Sequence, residues 1–211
     1  MGTGAVNNWD AMTSTKGVDT DWFDAIIKDN ASIQSYNLGI TGGSKTSTYA
    51  MSLGYLYQEG LIGGKGVSDM NRYNFRINSE HKLYKDIITV GEHVSLIHKR
   101  VNGVNDLSDG GGNVMYSGSA LRGALSAYPV NPIYGKDNYG TGYFDTNYSD
   151  WNTGTGGNPV GSLMLNKNRQ HTWMVDANAY VNVQPIKNLV FRSVFGISYN
   201  NYDGRYYTPK Y

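Results

Sequence analysis

The fold class this sequence predicts is all-β, an antiparallel up-and-down meander, and three observations predict it. First, large apolar side chains alternate with small or polar ones in several stretches of the chain. In SYNLGIT, Tyr36, Leu38 and Ile40 oppose Ser35, Asn37, Gly39 and Thr41; in TYAMSLGYLY, Tyr49, Met51, Leu53, Tyr55 and Tyr57 oppose Thr48, Ala50, Ser52 and Gly54. A period of two is the signature of a strand with two unlike faces. Second, connections alternate in length: 43–46, 85–86 and 185–188 are short, whereas 59–70 and 101–170 are long. A meander then has all its short turns at one end and all its long loops at the other. Third, the face opposite the apolar one carries Asn, Arg, Glu, Asp, Ser and Gly in nearly every strand. Composition agrees, with 27 Gly, 18 Tyr, 5 Pro and only 17% charged residues in 211, against roughly 25% charged in ordinary soluble domains.

Taken in order, residues 1–31 are polar and irregular. Within them DTDWFDAIIKDN predicts a short helix, capped by Asp19 or Thr20, with Trp22, Phe23, Ile26 and Ile27 on its apolar side. Strands are expected at about 33–42, 47–58, 71–84, 87–100, 171–184 and 189–200. In the third, Tyr73, Phe75 and Ile77 oppose Asn74, Arg76, Asn78, Glu80 and Lys82. In the fourth, Ile88, Val90, Val94 and Leu96 share a face that Glu92 interrupts. In the fifth, Trp173, Val175, Ala177, Ala179, Val181 and Val183 oppose Thr172, Asp176, Asn178, Tyr180 and Asn182. In the sixth, Leu189, Phe191, Phe195 and Ile197 oppose Arg192, Gly196 and Ser198. Residues 101–170 are rich in Gly, Asn, Asp and Tyr, with one helix expected in SGSALRGALSA, ended by Tyr128 and Pro129. So long a connection inside a compact domain is usually functional.

Two architectures accommodate the alternation. In a soluble β-sandwich the apolar faces meet in a dry core; such a chain reads as a secreted glycan-binding module or adhesin. In a transmembrane barrel the apolar face meets lipid and the polar face lines a lumen. The one-sided loop lengths and the long loop favour the barrel. A net charge of +1 offers no argument for nucleic acid. The lack of cysteine excludes disulfides and thiolate metal sites. Mean hydropathy is negative, which half-apolar strands produce by averaging. No apolar run reaches the roughly 18 residues of a membrane helix, and MGTGAVNNWDAMTS shows no signal-peptide pattern.

Several stretches, in order, resemble the SusC/RagA-type TonB-dependent transporters. They are TDWFDAI, NLGITGGSKTSTYAMSLGYLYQEGLI, RYNFRINSEHKL, ITVGEHVSL, YPVNPIYGKDNYGTGY, NPVGSLMLNKNR and IKNLVFRSVFGISY. The resemblance implies part of a 22-stranded barrel, corresponding to its second to seventh strands, with periplasmic short turns and extracellular long loops. Plug, TonB-contacting segment and first strand would lie outside these residues, and six strands do not close a barrel. It further implies residence in the bacterial outer membrane and import of oligosaccharides or peptides. The implied partners are outer-membrane lipid, a SusD-like surface lipoprotein, and TonB acting through the plug.

On this reading the polar face holds the candidate substrate path: Asn37, Arg76, Asn78, Glu80, Asp176, Asn178 and Arg192. The same residues serve equally to hydrate a wide interior or to hold a plug. Loop aromatics Tyr116, Tyr128, Tyr134, Tyr139, Tyr143, Tyr148 and Trp151 are candidates for stacking on sugar rings, or for packing the loop on itself. GITGGSKT narrowly misses a phosphate loop, with Ser44 at the second glycine and a strand following where a helix is needed. His81, His93, His98 and His171 show no ligand spacing, no catalytic constellation stands out, and no cofactor is called for. Glu92 remains awkward: it is either shielded by a neighbour or turned inward by a bulge.

Overall fold

The computed structural model describes residues 19–63, 66–84, 87–103, 120–127, 129, 133–134, 158–165 and 167–207. Their strands form one six-stranded antiparallel sheet in which spatial order follows chain order. The strands are β1 (Ile33–Gly43), β2 (Ser47–Glu59), β3 (Asp69–Leu83), β4 (Ile88–Gly103), β5 (Lys167–Ile186) and β6 (Leu189–Tyr207). Three short helices accompany them among the described residues: α1 (Trp22–Ile26), α2 (Ala120–Ser126) and α3 (Pro159–Leu165).

The register explains why the alternation matters. Residues directly opposite on paired strands point to the same side. Leu38 pairs with Leu53, Leu53 with Phe75, Phe75 with Leu96, Leu96 with Val175, and Val175 with Tyr199. One apolar rung therefore crosses all six strands. The next rung is Ile40, Met51, Ile77, Val94, Ala177 and Ile197. These side chains have no second sheet to meet: Leu53 is 54% exposed and Phe195 74%. A sandwich buries such residues against another layer, whereas here the described strands form a single sheet with its greasy face uncovered.

The turns report the strand tilt. Gly43 pairs with Thr48 and Thr48 with Glu80, yet β3 continues three residues farther, to Leu83. Ile88 pairs with Val183, and β5 again continues three farther, to Ile186. Three residues advance about 10 Å while two strand spacings cover about 10 Å, so the strands incline about 45° to the line of turns. Transmembrane barrels are built at this inclination.

Local chemistry sets the turns. In the glycine-rich stretch, Ser44 Oγ accepts from the backbone N–H of Thr46 (3.2 Å) and Ser47 (3.1 Å), so it makes a hairpin turn. β5 runs through Gln184-Pro185, with a register shift between Val183 and Ile186 where Pro185 has no N–H to donate. That leaves Lys187-Asn188 as the turn, with Asn188 at φ 76°, a conformation Asn tolerates. β5 begins at Lys167 and β6 reaches Tyr207, farther than the alternation extends. Lys167, Asn168, Arg169 and Gln170 are polar on both faces, so backbone pairing is their only strand signal.

The buried apolar core is not in the sheet. Trp22, Ile26, Ala124, Val160 and Leu163 pack together from α1, α2 and α3 at the long-loop end, with Ile27, Ile62, Val67 and Leu121 around them. The β2–β3 loop ties in through Lys28 N–H to Leu61 O and Gly63 N–H to Ile26 O, each 2.8 Å. The α1 cap is Asp21, not Asp19 or Thr20: its carboxylate accepts from Phe23 N–H (3.0 Å) and Asp24 N–H (2.9 Å). Phe23 lies outside the apolar side, 45% exposed, because five residues of helix cannot turn four apolar side chains inward. α3 starts with Asn158, whose Oδ1 accepts from Gly161 N–H (3.0 Å), followed by Pro159 at the first helical position.

Candidate functional site on the polar face

The polar face is built from the other parity of each strand. One rung runs Gly39, Ser52, Arg76, Ser95, Asp176, Ser198; the next runs Thr41, Ala50, Asn78, His93, Asn178, Gly196. Asn37 sits one rung toward the long loops from Arg76, and Glu80 one rung toward the short turns from Asn78. Arg192 pairs with Asn182, nearest the turns. Asn37, Arg76, Asn78, Glu80, Asp176, Asn178 and Arg192 thus share one face.

Within it, some of the candidates meet and others do not. Tyr180 OH donates to Glu80 Oε2 (2.7 Å), reaching across Gly91 on the intervening strand. A Cβ at Gly91 would stand 2.4 Å from Tyr180 Cζ, so only glycine lets the ring lie flat there. Arg192 places its guanidinium 4.5 Å from the centre of that ring, a cation–π contact. Glu80 and Arg192 are joined through Tyr180, a residue that alternation assigns to this face without marking it. Gly54 does similar work one end over: its missing Cβ makes room for Asn37 Oδ1 and Asn74 Nδ2. Asp176 Oδ1 accepts from Ser198 Oγ (2.6 Å). Arg76 and Asp176 stand two strands apart with Ser95 between, about 10 Å at the backbone.

The side-chain oxygens of Asn74, Asn78, Asn168 and Asn182 are shielded from solvent and have no hydrogen-bond partner among the described residues. All four belong to the polar face. Unpaired buried acceptors are costly. Leu56, Ile97 and Met174 also fall on it, toward the long loops. Of the loop aromatics, Tyr134 is described and is 56% exposed beside the helical cluster. Tyr116, Tyr128, Tyr139, Tyr143, Tyr148 and Trp151 lie outside the described residues.

Glu92 stays on the apolar face, with no bulge to turn it, opposite Ser79 and Ala179. It is shielded by a neighbour: Ser79 Oγ donates to its carboxylate, Ser79 Oγ lies 2.9 Å from His81 Nε2, and His81 Nδ1 lies 3.0 Å from Ser47 Oγ. Four polar side chains thereby satisfy one another close to the short turns. At the other end of this face the rung Tyr36, Tyr55, Tyr73, His98, Trp173 forms a continuous aromatic row, with His98 4.1 Å from Trp173 centre to centre. Spacing along the chain did not reveal that His98 also neighbours His171, their rings 5.7 Å apart. No group of three or more potential metal ligands occurs among the described residues.

A lower polar turn region, an apolar band, an aromatic row and long loops above it are the layers of an outer-membrane barrel wall. No family model matches the chain. The chain is 28% identical over 181 residues to TonB-dependent receptor P26 of Formosa agariphila, covering 86% of this chain and 16% of that protein. It is 26% identical over 167 residues to TonB-dependent receptor SusC of Bacteroides thetaiotaomicron, covering 72% of this chain and 15% of that one. The chain therefore spans about a sixth of the length of these curated relatives. Among solved structures, the RagAB peptide importer in its closed-closed state shares the fold at a TM-score of 0.65 and 22% identity, covering 89% of this chain and 20% of that one. In the open-open state the TM-score is 0.58 at 18% identity, covering 88% and 19%. In sequence and in fold, the chain is thus similar to part of the barrel of SusC/RagA-type TonB-dependent outer-membrane transporters.

Proposed function

We propose that these six strands are a sector of the wall of an importer of oligosaccharides or peptides. In it the polar face borders the conduit and the long loops frame its extracellular mouth. The observation that carries the proposal is the set of exposed polar side chains that the register gathers on one face, Asn37, Arg76, Asp176, Asn178 and Arg192. A plug seated in the barrel meets the exposed side chains of this face at rest, and Leu56, Ile97 and Met174 give it apolar footing. Asn37, Arg76, Asn78, Glu80, Asp176, Asn178 and Arg192 line the space that opens when TonB displaces the plug, drawing on the proton-motive force. A SusD-like lipoprotein closes over the long loops and delivers the substrate, with exposed Tyr134 among the aromatics available to it.

The test is uptake by cells carrying the complete transporter. Asn78→Leu with Asn182→Leu is expected to leave the barrel inserted and heat-stable yet to slow substrate-dependent growth, because the plug loses its partners on this wall. A cysteine at Asn78 is expected to form a disulfide with a cysteine series across the plug. Normal growth together with no cross-link at any plug position contradicts the proposal.

A further inference from the structure

We propose that the apolar face carries, at its long-loop edge, a binding site for a phosphate-bearing lipid of the outer leaflet, with Arg100 and Arg169 taking the phosphate. Beyond the aromatic row, the apolar-side parity turns polar: first Asn71, Arg100, His171 and Asp203, then Glu59, Asp69, Asn102, Arg169 and Arg205. The acidic members are already occupied. Glu59 holds Lys28 at 2.5 Å and Asp69 accepts from Asn102 Nδ2 at 3.0 Å. Asp203 pairs with Arg205 at 3.5 Å. The basic members on β4 and β5 are not. Neither Arg100 nor Arg169 is in ion-pair contact with a carboxylate among the described residues. Arg169 gives its Nε to Asn102 Oδ1 (3.2 Å), while Arg100 Nε is shielded from solvent with no partner. The two are diagonal neighbours on paired strands, about 7–8 Å apart at the backbone. A phosphate matches the donor fork of guanidinium groups held this way.

Height agrees with charge. At the rise of an inclined strand, Arg100 stands about 28 Å above the start of β4, just past an apolar band of about 25 Å. That is headgroup level. Directly below lies a groove of about 870 Å³ on the same face, lined by Tyr36, Leu38, Leu53, Tyr73, Leu96 and Trp173. Its apolar walls suit an acyl chain, and the stacked His98 and Trp173 form its upper lip. Head and tail of one amphiphile are therefore recognised by adjoining parts of one surface. A free anion would use only the arginines.

The inference rests on the apolar face meeting lipid, and the experiment separates the two. The complete transporter is extracted from outer membrane in mild detergent and its retained phosphorylated lipid measured by native mass spectrometry. Arg100→Gln with Arg169→Gln is expected to retain about tenfold less of it, and Trp173→Ala to retain less by a smaller factor. Lys99→Gln, one residue along but on the polar face, is expected to retain as much as the unaltered protein. Inorganic phosphate at millimolar level is expected not to displace the lipid. Retention that ignores the two arginines overturns the site. So does equal loss from Lys99→Gln, displacement by inorganic phosphate, or a change of assembly size without loss of lipid, which assigns the patch to a protein neighbour. An unaltered protein that retains no lipid of any kind instead indicts the lipid-facing assignment.

Discussion

The helical cluster at the long-loop end and the apolar face of the sheet use the same kinds of side chain in opposite ways. In the cluster, Trp22 and Ile26 are 3% and 2% exposed, hidden against Ala124, Val160 and Leu163. On the sheet, Leu38, Leu53 and Phe195 stand open on a surface six strands wide. Water penalises exposed hydrocarbon at about 25 cal/mol per Å², so the cluster must bury its own. A bilayer carries no such penalty, and the sheet need bury nothing. The contrast locates the boundary between solvents: it falls at the aromatic row and the polar rungs just beyond it.

Substitutions that exchange the two regimes test the contrast. The largest effect is expected from Trp22→Ala, which empties the centre of the cluster and destabilises it by about 3–5 kcal/mol. Protease nicking should then rise in the long loops while the strands stay protected. Next comes Leu53→Arg, six residues above the first short turn and hence about midway up the band, expected to cost about 2–4 kcal/mol in lipid-based folding titrations. Ser52→Arg, its chain neighbour on the polar face, opposes Arg76 and is expected to cost under about 1 kcal/mol from that repulsion. Gly91→Ala should push the Tyr180 ring off its shelf and undo its bond to Glu80, a loss of about 1–3 kcal/mol read in the same titration. The smallest effect, about 1 kcal/mol, is expected from Asp21→Ala, which uncaps α1; amide exchange at Phe23 and Asp24 should quicken without change in the sheet.

Much of the sheet was legible because a strand with two solvents must alternate. β2 shows this in every residue from Tyr49 to Tyr55, before Leu56 breaks it, and short turns give the pairs β1–β2, β3–β4 and β5–β6. The helical cluster was only half legible. Trp22 and Ile26 announce an apolar side, but their partners on α2 and α3 lie far along the chain, and no local pattern names them. α3 did carry a signal, Asn158 followed by Pro159, the cap and first position of a helix. On the polar face, parity alone gathers Glu80 and Arg192. That Tyr180 joins them depends on Gly91, whose importance is an absent Cβ and therefore silent in sequence. Glu92 defied its strand's pattern for a reason also invisible locally: Ser79 and His81 come from β3, and Ser47 from β2.

The central claim is that residues 49, 51, 53 and 55 of β2 touch hydrocarbon and residues 50, 52 and 54 do not. Nitroxide labels placed singly at 49 through 55 in the complete protein, reconstituted in bilayers, measure it through collision with oxygen and with a water-soluble nickel chelate. A period of two is expected, with oxygen favoured at Tyr49, Met51, Leu53 and Tyr55 and nickel favoured at Ala50, Ser52 and Gly54. Labels at Met51 and Leu53 shielded from both reagents, as in a dry core, would contradict it.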